Sequence, residues 1–350
     1  MREVKLSIVG FGVVGRGVAE VVARKRAEIG ERFGLDLRIV AVVDLWGAAL
    51  ASDADGGGLD PRRILDALQK GGAEGLSPRE SLEAHGVRVE ELQSPDVIQE
   101  VEHDVTVEAT PTNVDNDGEP GTSHILTALK AGRHVVTSNK GPLALHFNKL
   151  MQAAKRADRK IGFEATVGGA MPIISLRDTL AGNEILCIKG ILNGTCNYIL
   201  TRMGEENMPF EHALREAQEM GIAEADPRSD VLGVDTAVKL VILANALLGL
   251  DAAYKDVRVT GITEITPEAL SLARDNGYVI KLIGEVDRDG KLEVAPKLVP
   301  ETHPLNVGGT LNAALLKTDL AGEVMVVGRG AGGIEAASAI ISDIIRIFKN

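Results

Sequence analysis

Residues 6–15 read LSIVGFGVVG, and the fold turns on what the three glycines do. Val4 to Val9 has the apolar run of a buried strand. From Val13 to about Ala27 the residues Val14, Val18, Val21 and Val22 share one helical face. In the G-x-G-x-x-G spacing the first glycine permits a tight turn and the second lets backbone approach a pyrophosphate. The third lets helix pack on strand. The helix start then offers unpaired N–H groups and a partial positive charge to phosphates. A lone glycine motif is weak, and the strand before it and the helix after it supply the context. Gly10, Phe11, Gly12, Val13, Val14 and Gly15 are therefore expected to hold a dinucleotide. The next apolar run, LDLRIVAVVDL at 35–45, ends at Asp44, whose carboxylate would accept ribose hydroxyls. Asp44 lies further from Gly15 than the usual roughly 20 residues, which implies a long first helix and connection. Leu45-Trp46 supplies no basic partner for a 2′-phosphate, which favours NAD. Arg62 and Arg63 on the next predicted helix leave NADP open.

Working outward, 350 residues suggest two domains, and 45% hydrophobic with 25% charged residues is a globular composition. A net charge of −12 argues against nonspecific nucleic-acid binding, which needs clustered Lys and Arg. Two cysteines, Cys187 and Cys196, exclude a disulfide framework and fit a reducing compartment. The apolar run LVILANALLGL at 240–250 is too short to span a bilayer. The N-terminus reads as a strand rather than a signal peptide. These features predict a cytoplasmic protein without a nucleic-acid or membrane partner.

Strand patterns at 104–112, 133–140 and 160–166 alternate with helical ones at 122–132 and 142–158, which implies parallel pairing. After Gly168 helices dominate 170–181, 195–203, 209–220 and 233–250. Strands are expected at 184–192, 278–287, 291–299 and 321–328, with a hairpin at Asp289-Gly290. The expected class is α/β: a Rossmann-type doubly wound parallel sheet plus an α+β substrate and dimerisation domain. The dinucleotide-binding domain would span 1–166 and be rejoined by 320–350. The second domain would span 167–319.

Four stretches have side chains suited to chemistry. Asp235 and Lys239 stand at i, i+4 on one helical face. On a solvated helix this is a surface ion pair of little consequence. Ala237, Val238 and Leu240 to Ala244 make the helix apolar almost all round, and a buried lysine is costly unless paired or functional. Burial also lowers a lysine's pKa toward the range of proton exchange near neutrality. Asn139 and Lys140, in a turn closed by Gly141-Pro142, stand at a strand end where α/β sheets place ligands, within reach of a carboxamide or substrate oxygen. Ordinary turn chemistry is the plainer reading there. In EATVGGAM (164–171), Glu164 and free carbonyls suit a hard cation, and an interdomain hinge is the alternative. Cys196 raises the rival of a thiol-acylating semialdehyde dehydrogenase, although no His neighbours it in sequence and free cysteines are commonly buried packing. A non-catalytic NAD-binding sensor is the third reading.

Together VGFGVVG, VEATPTN, GEPGTSHI, HVVTSNKGPLAL, EATVGGAMPII, ILNGTCNYIL, EADPRSDVLGVDTAVK and GRGAGG…ASAIISDI resemble homoserine dehydrogenase, in the family's order and over nearly the whole chain. The compact type without a C-terminal regulatory domain is closest in length. The resemblance implies NAD(P)-dependent interconversion of L-homoserine and L-aspartate 4-semialdehyde, on the branch to threonine and methionine. It implies Lys239 as acid/base, Asp235 and Glu224 as substrate ligands, and Lys140 at nicotinamide and substrate. Thr110, Gly221 and Gly332 would border the cofactor. Glu164 with carbonyls of Val167, Gly169 and Met171 would surround a monovalent cation, Na or K. Ile222 and Ile334-Glu335 depart from the family's pattern, and Glu335 is expected to weaken closure on the cofactor. A homodimer is implied by the family's habit and by a second sheet with too few strands to cover both its faces.

Overall fold

The computed structural model describes residues 1–52 and 56–349, which form two compact units, Met1–Thr166 with Gly332–Asn350, and Val167–Ala331. The first unit holds strands β1 (Arg2–Val9), β2 (Leu35–Asp44), β3 (Gly47–Leu50), β4 (Val89–Glu90), β5 (Val105–Glu108), β6 (His134–Thr137) and β7 (Ile161–Gly162). Their order in the sheet is β4-β3-β2-β1-β5-β6-β7. The five strands from β2 to β7 pair in parallel. Continuous burial along β5 and the second half of β1 is the mark of strands covered on both faces. An antiparallel edge, β3 and β4, extends the expected all-parallel sheet. Leu45-Trp46, considered above as neighbours of a ribose, form the tip of the β2–β3 hairpin, and Leu45 is 100% exposed.

The helix expected to end near Ala27 continues to Phe33. KRAEIGERF is made largely of good helix formers. Gly34 then closes the helix in the left-handed region, φ 70°, with its N–H on Gly30 O. The long glycine-to-Asp44 spacing thus comes from the helix itself. The C-terminal helix Gly333–Phe348 packs on it: a Cβ on Gly17 would lie 2.4 Å from Gly333 O.

The second unit holds β8 (Ile185–Ile191), β9 (Arg258–Val259), β10 (Tyr278–Asp287), β11 (Leu292–Pro300), β12 (Leu311–Thr318) and β13 (Glu323–Arg329), in the order β13-β12-β8-β10-β11-β9. All pairs are antiparallel except β11 with β9. The predicted hairpin joins β10 to β11, with Gly290 at φ +84°. Helices Gly194–Glu206 and Val234–Leu247 pack on β10.

Two expectations are corrected here. Residues 320–331 do not rejoin the first unit, because β13 pairs along its length with β12. Only the helix after Ala331 returns. Between 170 and 181 just Leu176–Thr179 is α-helical. Gly168 and Gly169 open that segment with a tight turn, Met171 N–H on Gly168 O, and Pro172 has no N–H to extend a helix. Among the described residues no helix is long and apolar enough to cross a membrane.

Candidate active site

The three glycines of the first unit are required for three different reasons. Gly10 has φ +88°, and a Cβ there would lie 2.7 Å from the backbone of Ala109. A Cβ on Gly15 would lie 2.2 Å from Gly10 O, so this glycine lets the helix press against the strand. Around Gly12 nothing lies within 4 Å of a Cβ position. That open space, above a helix start with no side-chain cap, fits a pyrophosphate. Asp44 ties the loop down: Oδ2 accepts the Phe11 N–H at 2.7 Å and Oδ1 the Leu45 N–H at 2.7 Å. Its remaining lone pairs suit ribose hydroxyls. Gly332 caps the C-terminal helix at φ +129°, and the Glu335 carboxylate folds back over it, 2.1 Å from where a Cβ would be.

At the ends of β5 and β6 the Asn139 side chain is held inside the fold. The residue is 1% exposed. Its Oδ1 accepts the Gly141 N–H, and its Nδ2 donates to Thr110 Oγ1 and Pro111 O. These bonds tie Asn139 to the Thr110 loop. Lys140 follows as the first residue of a helix, its backbone N–H on Thr112 Oγ1. Glu108, passed over in the sequence, is fully buried and takes hydrogen bonds from the Thr110 backbone and hydroxyl and from Thr137 Oγ1.

The second unit contains the ion pair suspected from the sequence. Helix Val234–Leu247 is buried continuously from Thr236 to Ala246. Lys239, 7% exposed, donates to Leu192 O at 2.7 Å and pairs with Asp235 Oδ2 at 2.7 Å. Asn193 completes the cluster. Its Oδ1 caps the Gly194–Glu206 helix by accepting the Cys196 N–H, and its Nδ2 donates to both Asp235 Oδ2 (3.0 Å) and Asp230 Oδ1 (2.6 Å). Burial pushes the Asp230 carboxyl above its ordinary range, and the neighbouring Asp235 charge adds to the effect. Asn193 and Asp230 are absent from the sequence-based candidates. The Asn-Gly before a helix pattern was a capping signal available for Asn193.

Cys196 is fully buried, its Sγ on Asp230 O, and burial holds the thiol well above its ordinary pKa. A neutral thiol without access is no nucleophile. Cys196→Ala is therefore expected to keep most of kcat while losing some melting temperature. Thiol alkylation of the folded protein should leave Cys196 unmodified by mass spectrometry. Glu224 and Gly221 lie in the loop after helix Phe210–Glu219 and are exposed, with Gly221 at φ +69°. Of the proposed cation ligands, Glu164 belongs to the first unit, buried, with its N–H on Asp343 and its carboxylate 3.7 Å from Arg346. Val167, Gly169 and Met171 belong to the second.

A glycine loop shaped for a pyrophosphate and a buried lysine–carboxylate pair define the class of NAD(P)-dependent oxidoreductases. Comparison with known proteins narrows it. The family model described as homoserine dehydrogenase, NAD binding domain, matches residues 10–164, and that of homoserine dehydrogenase matches residues 172–345. A homoserine dehydrogenase of Methanocaldococcus jannaschii is 51% identical over 98% of each chain. An NAD(+)-dependent homoserine dehydrogenase of Pseudomonas canavaninivorans is 39% identical, covering 100% of this chain and 97% of its own. A hyperthermophilic archaeal homoserine dehydrogenase solved with NADPH superposes with a TM-score of 0.82 at 31% identity, covering 99% of this chain and 97% of the other. The chain belongs to the homoserine dehydrogenase family. Its activity is the NAD(P)-dependent interconversion of L-homoserine and L-aspartate 4-semialdehyde. The acylating-dehydrogenase and sensor readings are set aside.

Proposed function

We propose that Lys239 is the acid/base of this reaction, with Asp235, Asp230 and Glu224 binding the substrate and Lys140 serving nicotinamide and substrate. The observation that carries the reading is the Lys239 amine, buried and held 2.7 Å from both Leu192 O and Asp235 Oδ2. A nicotinamide dinucleotide held at the Gly10–Gly15 loop would supply or accept the hydride. An ammonium has three N–H donors. Leu192 O and Asp235 take two, and the third is left for the aldehyde oxygen, to which the ammonium would give its proton. In the oxidative direction the amine takes the hydroxyl proton. The substrate's own ammonium needs negative partners. Asp230 and Asp235, joined through Asn193, and Glu224 supply them.

The first unit is read as the cofactor domain and the second as the substrate and dimerisation domain. Gly10 to Gly15, Asp44, Thr110, Asn139, Lys140, Gly221 and Gly332 are read as bordering the cofactor. Glu164 with carbonyls of Val167, Gly169 and Met171 is read as holding Na or K. Following reduced-nicotinamide absorbance with homoserine and either cofactor tests the reading, once with sodium and potassium and once with tetramethylammonium in their place. Asp44 supports NAD over NADP, since its charge opposes a 2′-phosphate. A higher kcat/KM with NADP would overturn that preference. The chain is read as a cytoplasmic homodimer, both cysteines being free thiols. Light scattering should return twice the chain mass.

A further inference from the structure

The parallel strands β1, β5, β6 and β7 have their N-terminal ends at the side of the sheet opposite the glycine loop, Val105 of β5 beside His134 of β6, and β1 starting four residues before its first pair with β5. Basic side chains gather there in a chain that is acidic overall. Arg2 opens β1, His134 opens β6, Arg159 comes just before β7, and Arg133 sits in the turn before β6. With His103, Asp104, Gly132 and Phe348 they line a cleft of about 300 Å³.

Three guanidinium charges face a single carboxylate, and that carboxylate, on Asp104, already accepts the Lys5 N–H at 2.8 Å. Among the described residues Arg2, Arg133 and Arg159 form no ion pair with an acid. Their planes are set by other means. The Arg2 guanidinium lies 4.6 Å from the centroid of the Phe348 ring, and Arg159 Nε donates to Gly132 O at 2.6 Å. Arg133 Nε is buried without a hydrogen-bond partner among the described residues. An unsatisfied buried donor of this kind destabilises the fold. The cationic field also acts on His134: burial pushes its pKa down, and Arg159, Lys160 and Arg2 push it further. Because guanidinium stays charged at all working pH, the cleft keeps its positive character whatever its histidines do.

We propose that this cleft binds a small oxyanion carrying two or more negative charges, at a site separate from the dinucleotide loop. Guanidinium groups match phosphate and carboxylate oxygens in bidentate fashion, and the cleft has room for a phosphate, a pyrophosphate or a small polycarboxylate.

The test is calorimetric titration of inorganic phosphate, pyrophosphate and citrate into the full-length protein saturated with NAD, at constant ionic strength set by sodium chloride. Saturation keeps the glycine loop occupied, so any remaining site lies elsewhere. One equivalent of at least one of these anions is expected to bind, the one that binds naming the ligand class. Affinity is expected to fall at least about tenfold in Arg133→Gln and in Arg2→Gln. Arg2 is exposed, so Arg2→Gln carries the test if Arg133→Gln does not fold. Binding of none of the three, binding lost on NAD saturation, or affinity unchanged in the folded variants overturns the proposal.

Discussion

Replacing Lys239 with methionine will lower kcat in both directions by about 10²–10⁴-fold, the range for loss of a positioned acid/base, while the dissociation constant for NAD or NADP stays unchanged. Methionine keeps most of the buried volume, so the change is chiefly the loss of an amine. It also leaves Asp235 short of its cation, and breaking a buried ion pair from one side costs about 3–5 kcal/mol. A lower melting temperature must therefore be separated from the chemical effect. The double variant Asp235→Asn with Lys239→Met removes the orphaned charge, and it should recover melting temperature without recovering turnover. Lys239→Arg makes the opposite separation. It retains a cation beside Asp235 but cannot give up a proton near neutrality, so oxidation of homoserine should stay slow even where the protein is as stable as wild type. Near-wild-type kcat in Lys239→Met would remove the residue from the chemistry.

Why this lysine was legible in the sequence, and its neighbours were not, is a matter of range. Asp235 and Lys239 are four residues apart on a helix whose apolar surroundings announce burial, and both facts are local. Asn193 and Asp230 enter the cluster only because the Gly194–Glu206 helix and the short Arg228–Val231 helix pack beside it, and nothing in NGTCNY or PRSD states that meeting. The same limit explains Asn139. Its place at a strand end is local and readable, but nothing in TSNKGP states that its amide bonds Thr110 and Pro111. β12 was hidden for a compositional reason. LNAALLKT has alanines where β-branched residues would have signalled a strand, yet small side chains are what let it run buried between β8 and β13. β13 belongs to the second unit through its pairing with β12, a partner that the sequence pattern does not announce.

The glycine loop allows a sharper experiment, because one residue type serves three physical ends. Gly15→Ala places a methyl 2.2 Å from Gly10 O and 3.3 Å from the Ile8 side chain. The helix must lift from the strand, a strain of about 1–3 kcal/mol or more, and the melting temperature should fall by several degrees with or without cofactor. Gly10→Ala adds a disfavoured positive φ to a backbone clash and should do at least as much. Gly12→Ala meets nothing within 4 Å at a φ of −75°, so the apoprotein should melt within a few degrees of wild type. Its cost falls on binding, because the methyl occupies the approach of the pyrophosphate. Gly12→Asp adds a negative charge at that approach, where like charges about 4 Å apart repel by roughly 1–4 kcal/mol at effective dielectrics from bulk water down to a protein surface. The affinity for NAD should then fall by about one to three orders of magnitude, with the circular dichroism spectrum unchanged. A Gly12→Asp protein that binds NAD like wild type would mean the open space beside Gly12 is not where the phosphates lie. The loop's glycines would then be explained by Gly10 and Gly15 alone, as a tight turn and a close packing contact.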